Sequence, residues 1–307
     1  MHDTQLPHWL VVNADDLGFS REINRGVLYT FRRGIVRSAS LSASAPEFEH
    51  AVQLLLREPV LDVGVHLTFF GTYPVLPTVR VRHLVNRRGM FEPTLLRAMG
   101  RLCLSSAVLE QLEAEFRAQI ERVQSAGILI SHLDCHGHLQ VLPPVFHLVL
   151  RLAQTYGISW VRLPYEAQPR FSGGSIFRSA QLLAANVLCL FNRSSIHAID
   201  PVLRHADHLL GIDVSGRLEE RWLVRQLIAL RSGVTELLCH PGFRDTGRYQ
   251  RTQELSALTA DSVKRAVAES GIVLTNFRQL SQYGSTLTRS IAAVGSSAIA
   301  TPVSIGY

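Results

Sequence analysis

Residues 132–138, His-Leu-Asp-Cys-His-Gly-His, put three imidazoles and one carboxylate into seven consecutive positions. Imidazole nitrogens and carboxylate oxygens are the side-chain donors that hold divalent cations, so metal binding is the first chemistry this segment suggests. On a strand His132, Asp134 and His136 share a face, whereas on a helix His132 and His136 stack one turn apart. The apolar approach Ile128-Leu129-Ile130 and the glycine at 137 favour the strand. A second acidic feature, Asp15-Asp16, follows the apolar run Trp9-Leu-Val-Val-Asn13 with only Ala14 between. Adjacent carboxylates ionise together only where a cation or hydrogen-bond donors compensate, and a divalent ion resolves that conflict. Capping a helix requires one acid, so a cap does not account for the pair. His66 shares its parity with Gly64 in Val63-Gly-Val-His-Leu-Thr68, and a glycine leaves backbone room where a barrel interior narrows. His240 ends the run Leu237-Leu-Cys239 and precedes Pro241-Gly242, so a turn holds it rigidly at a sheet edge.

The elements that must position these residues alternate along the chain. Strand candidates are 9–13, 38–44, 61–68, 128–134, 159–163, 236–239 and 272–276. Helical periodicity falls between them at 21–33, 46–57, 106–125, 144–156, 178–192, 218–231 and 257–270. Seven such alternations without a run of hairpins indicate a parallel sheet. Asp15, Asp16, His66, residues 132–138, Arg162 and His240 all fall at or just past carboxyl ends of strands. Those ends converge on one mouth in a barrel but spread along an edge in an open sheet, so the pattern favours a barrel. One barrel domain over 1–284 is expected, followed by a Ser/Ala/Gly-rich tail over 285–307.

Composition narrows the function classes. With 307 residues, 47% hydrophobic and 18% charged, the chain is neither disordered nor fibrous. No apolar run reaches the roughly 18 residues of a membrane span, and no secretory leader is visible at the N-terminus. The 4 cysteines are scattered without a C-x-x-C pair, which argues for a reduced, cytoplasmic protein rather than a disulfide scaffold. Net charge is +6 and Lys264 is the single lysine among 31 basic residues. Codon bias accounts for that excess of arginine, and no nucleic-acid-binding motif accompanies it.

The stretches Val12-Asn-Ala-Asp-Asp-Leu-Gly18, Gly64-Val-His-Leu67, Ser131-His-Leu-Asp-Cys-His-Gly-His138 and Cys239-His-Pro-Gly-Phe243 resemble, in order and spacing, the YdjC family of carbohydrate deacetylases. The resemblance implies a distorted seven-stranded (β/α) barrel, TIM-barrel-like, that removes the N-acetyl group from an N-acetylglucosamine-type sugar, soluble or lipid-linked. It assigns Asp16, His66 and His136 to the metal, Asp15 to the general base and His240 to the general acid. Mg²⁺ is the implied ion, with Zn²⁺ the alternative on donor softness. Leu17 stands where the family commonly has Phe, and 137–140 replaces a more histidine-rich run, which leaves His138 without an assigned role. From the residues themselves, Asp134 suits the orientation of a histidine, and Arg162 suits a sugar hydroxyl or Asp15. The loop with Arg80, Arg82, Arg87 and Arg88 could cover an anionic sugar, and the apolar stretch 180–191 could touch a lipid or a second subunit. Both keep peripheral membrane contact and a homo-oligomer open. A phosphoesterase or another amidohydrolase on the same barrel, or a non-catalytic sugar-binding barrel, are the alternative functions.

Overall fold

Every strand pairing in the sheet is parallel, as the alternation requires. In the computed structural model, β1 (His8–Leu17), β2 (Ser38–Leu41), β3 (Asp62–Leu67), β4 (Ile130–Cys135), β5 (Trp160–Val161), β6 (His208–Leu210) and β7 (Gly233–Cys239) lie in the order β5-β4-β3-β2-β1-β7-β6. The last strand, β8 (Ile272–Thr275), pairs with the first half of β1, ahead of the point where β2 takes over. Trp160 also bridges to Arg204 on the segment leading into β6, so the sheet curls until its edges approach. The result is a curled α/β half-barrel, in line with the barrel expected from the pattern and with one strand more than the seven expected. The structure describes residues 7–102, 106–166, 186–190, 192, 196, 199–247 and 249–283; most of the expected helix 178–192 and all of the tail 285–307 lie outside them.

Helices cover the outer face. Helix α1 (Arg21–Arg33) starts where the Ser20 hydroxyl accepts from the Ile23 N–H, and it buries Ile23, Val27 and Leu28. It is followed by α2 (Phe48–Leu55), α3 (Leu95–Leu102), α4 (Ser106–Ser125), α5 (Pro143–Thr155), α6 (Glu220–Ile228), α7 (Arg251–Thr259) and α8 (Asp261–Glu269). One expectation needs correction, and two elements are unmarked in the sequence. The helix expected over 257–270 is α8, separated at Ala260, whose backbone is extended (φ −62°, ψ 140°), from α7, which begins at Arg251. Helix α3 carries no strong sequence cue. Strand β6, at 3 residues, is too short to express a period.

Alternation along the strands sorts the interior from the exterior. Leu10, Val12 and Ala14 of β1 join the large apolar layer beneath the helices. Val11, facing the other way, packs with Trp160, Val234, Phe277 and Leu280 in a small separate cluster that floors the barrel. Above this floor the interior is polar: Asn13, Ser40, His132, Asp134, Arg162 and Glu236 are all buried. Small side chains make this layer possible. Ser38 and Ser40 lie on β2 with Ser42 just beyond it, and Gly64 of β3 lies so close to His132 that a Cβ would come within 2.4 Å of the ring.

Candidate active site

Successive residues of a strand point to opposite faces, so Asp15 and Asp16 should not both face the interior. A bulge lets them. The pairing of β1 with β2 runs Ala14↔Ala39 and then Leu17↔Leu41, three steps on one strand against two on the other. Asp16 absorbs the extra residue with a left-handed backbone, φ 66°. Both carboxylates are buried at the strand's carboxyl end, beside the ends of β3 and β4.

Asp16 faces two imidazoles. Its Oδ1 lies 3.2 Å from His136 Nδ1 and 3.6 Å from His66 Nε2, and the two ring nitrogens are 3.2 Å apart. One donor atom from each of the three residues falls within 4.8 Å of the others. His66 offers Nε2 because Nδ1 is held 2.8 Å from Asp134 Oδ1, the carboxylate–histidine arrangement that orients metal-binding imidazoles. His136 is half-buried and flanked by Phe19 and Phe70, with ring centroids 5.0 Å and 4.4 Å away. Burial works against ionisation of Asp16, yet its bonds to His136 and His66 and the charge of Arg251 hold its carboxyl well below the usual range. His66 is likewise pushed up to about 10, against burial, by Asp134 and Asp16. The pocket thus favours positive charge where the three donors meet, and one carboxylate oxygen with two imidazole nitrogens is a donor set suited to a divalent cation that keeps positions open.

Asp15 is surrounded differently. Arg162, immediately after β5, donates to both of its oxygens at 2.7 Å, and Asn13 Nδ2 donates to Oδ1 at 2.9 Å. The same guanidinium reaches Glu236 Oε1 at 2.7 Å and Asp134 Oδ2 at 2.8 Å. Burial raises the Asp15 carboxyl, but Arg162 outweighs it and keeps the group ionised. Asp15, His66 and Asp134 also come close enough to hold an ion. There both oxygens of Asp15 are taken by Arg162, whereas Arg251 reaches only Oδ2 of Asp16 and leaves Oδ1 to the imidazoles, so the Asp16 cluster is the better metal candidate.

His240 follows β7 and is buried, its ring 4.9 Å from that of Tyr249. Its Nδ1 has no hydrogen-bond partner and lies 3.9 Å from Glu254 Oε2. Burial pushes the ring down to about 4, so it stands neutral at pH 7. The geometry therefore brings together Asp15, Asp16, His66, Asp134, His136 and Arg162, with His240 alongside. Of the two partners expected for Arg162, Asp15 is the one it touches. His132, which strand parity groups with Asp134 and His136, sits apart from the donor cluster and bonds Ser40 (3.1 Å) and Ser131 (2.8 Å).

Sequence reasoning missed several neighbours. Arg251 donates to Asp16 Oδ2 from the start of α7, and nothing in its polar surroundings marks it. Glu236 left a signal, a lone acid in the apolar strand Val234-Thr-Glu-Leu-Leu-Cys239. So did Ser40, in a run of alternating small residues; its hydroxyl accepts from Asn13 (2.8 Å) and donates to Asp134 (2.8 Å).

Fold and site together put the chain among α/β barrel proteins that gather polar groups at the carboxyl ends of their strands. A family profile described as YdjC-like protein matches residues 9–269. The chain belongs to this family. A carbohydrate deacetylase from Brevibacillus brevis is 32% identical over 278 residues, covering 88% of this chain and 99% of that protein. A carbohydrate deacetylase from Geobacillus stearothermophilus is 31% identical over 290 residues, covering 89% and 98%. Among solved structures, a protein from Enterococcus faecalis V583, provisionally described as a cellobiose-phosphate cleavage protein, superposes with a TM-score of 0.72 at 25% identity, covering 89% of this chain and 99% of its own. The enzyme class expected from the sequence is the one the curated relatives bear.

Proposed function

We propose that the protein is a metal-dependent carbohydrate deacetylase, hydrolysing the acetamido group of an N-acetylglucosamine-type sugar to the free amine and acetate. The observation that carries this reading is the meeting of Asp16, His66 and His136 within 4.8 Å of one another, with Asp15 as covalent neighbour. The names of the relatives support the reaction class. Asp16, His66 and His136 would hold the ion, Mg²⁺ being the first to test and Zn²⁺ the alternative. A bound divalent cation supplies Lewis acidity toward water and an amide oxygen.

The chain's own residues supply the rest. Asp15, kept ionised and aimed by Arg162, accepts the proton of the attacking water. Asp134 fixes the tautomer of His66. An amine leaves only when protonated, and His240 is the candidate donor. Because its ring is neutral at pH 7, it must first take up a proton, and the Glu254 carboxyl, itself pushed up to about 7 by burial, lies 3.9 Å away. This activity is assigned to residues 1–284 as one domain. No helix among the described residues is long and apolar enough to cross a membrane, and Cys135, Cys189 and Cys239 are free and buried, which accords with a cytoplasmic setting.

The acceptor sugar is addressed by the excursion after β3. Phe70 at its start flanks His136, and its exposed residues Arg80, Arg82, Arg87 and Arg88 have no carboxylate partner among the described residues. They support an anionic or lipid-phosphate-linked sugar beside a neutral chitooligosaccharide. The test is release of acetate from N-acetylglucosamine oligomers with and without chelator, beside release of phosphate from sugar phosphates. Chelator-sensitive acetate release is expected; phosphate without acetate would transfer the barrel to phosphoesterase chemistry.

A further inference from the structure

Among the described residues only two non-glycine residues adopt a positive φ: Asp16 at 66° and His138 at 57°. Asp16 belongs to the donor cluster, whereas His138 has no part in the reaction as described. A left-handed backbone is sterically unfavourable for a residue with a Cβ and persists where the surroundings impose it. Here they do. Gly137, at φ 62°, precedes it, and a Cβ on Gly137 would come within 2.9 Å of Phe70, so the turn is pressed against the ring that also flanks His136.

The imidazole lies near enough to Arg162, Asp15, His240 and Asp134 for their charges to act on it. Its Nδ1 is buried without a hydrogen-bond partner, unlike the two nitrogens of His66, which are both engaged. The residue as a whole stays partly exposed, so a ligand in the mouth has access to it. With nothing bonded to Nδ1, the proton can sit on either nitrogen, and Nε2 can donate to or accept from a hydroxyl as the ligand requires. A strained backbone and an unpaired buried nitrogen are two costs at one residue, and no hydrogen bond among the described residues offsets them.

We infer that His138 is a substrate-binding residue whose imidazole hydrogen-bonds a sugar hydroxyl adjacent to the acetamido group. This rests on the deacetylase reading above. Glycine and asparagine both tolerate a left-handed backbone, so His138→Gly and His138→Asn test the ring without disturbing the turn. With N-acetylglucosamine oligomers as substrate, His138→Gly is expected to raise KM about tenfold while kcat changes less than about threefold. Calorimetric affinity for the same oligomers should weaken in parallel, metal content and Tm should stay at wild-type values, and His138→Asn should recover part of the affinity. Unchanged KM and affinity in His138→Gly, a loss confined to kcat, a loss of metal or of fold, or no recovery at all in His138→Asn would each overturn the assignment. Wild-type protein that releases no acetate would instead defeat the deacetylase reading, and the role of His138 with it.

Discussion

Two clusters share the mouth of this barrel, built from the same residue types and joined through consecutive carboxylates. Around Asp15 the positive charge is covalently part of the chain, because Arg162 bonds Asp15, Asp134 and Glu236 at once. Around Asp16 two imidazoles turn ring nitrogens toward Oδ1, and Arg251 holds only Oδ2. Acids and histidines alone do not distinguish a metal site from an ion-pair network. The placement of the arginines does: Arg162 takes both oxygens of Asp15, whereas Arg251 takes one oxygen of Asp16 and leaves the other to the imidazoles, where an exchangeable cation fits. Breaking each cluster should therefore have different consequences.

The largest effect is expected from Asp15→Asn, which removes the proton acceptor but none of the three candidate ligands. Turnover should fall on the order of 10³-fold with metal content intact, while His136→Ala should lose metal and turnover together. Metal analysis beside acetate release measures both, and full turnover by Asp15→Asn would remove the base from the scheme. Next comes Arg162→Met, which leaves three buried carboxylates facing one another and should destabilise the fold by about 3–5 kcal/mol in denaturant titrations. Wild-type stability in that variant would erase the distinction between the clusters.

Asp134 belongs to both clusters, so Asp134→Asn tests whether they are coupled. A loss of roughly 10–100-fold in metal affinity is expected by isothermal titration, because a neutral amide replaces the carboxylate that orients His66 and raises its basicity. The smallest effect concerns Glu254, which accepts from the backbone N–H of His240 and Leu218. Burial raises its carboxyl from 4.5 to about 7. Between those values the folded protein holds a proton that the unfolded chain has released, so this group's contribution to stability falls as pH rises and is fully unfavourable above 7. Glu254→Gln should remove that slope, gaining on the order of 1–3 kcal/mol relative to wild type between pH 5 and pH 8. Parallel stability profiles for the two proteins would show that the carboxyl titrates normally.

Much of this was legible in the chain itself. Periods of two and of three to four residues located the seven alternations, because burial of one face is a local requirement that each segment meets separately. Polar residues at strand ends could be picked out for the same reason: a histidine or a pair of acids closing an apolar run has no use in the core. Glu236 was legible too and was passed over. Arg251 was not, since it lies far from Asp16 in the sequence, on a helix whose start carries no cue.

Local patterning thus specifies the alternating architecture, the carboxyl-end placement of Asp15, Asp16, His66, Asp134, His136 and His240, and the metal-suited character of their donors. That a bulge turns both Asp15 and Asp16 inward, that Arg162 takes Asp15 with both terminal nitrogens, and that His132 stays apart from the donor cluster emerges only in the assembled barrel. The physical reason is range. Side-chain periodicity reports which face of one segment is buried, whereas partners from five strands and a helix meet only after parallel pairing and curl have set their order, and those depend on the summed packing of the whole chain.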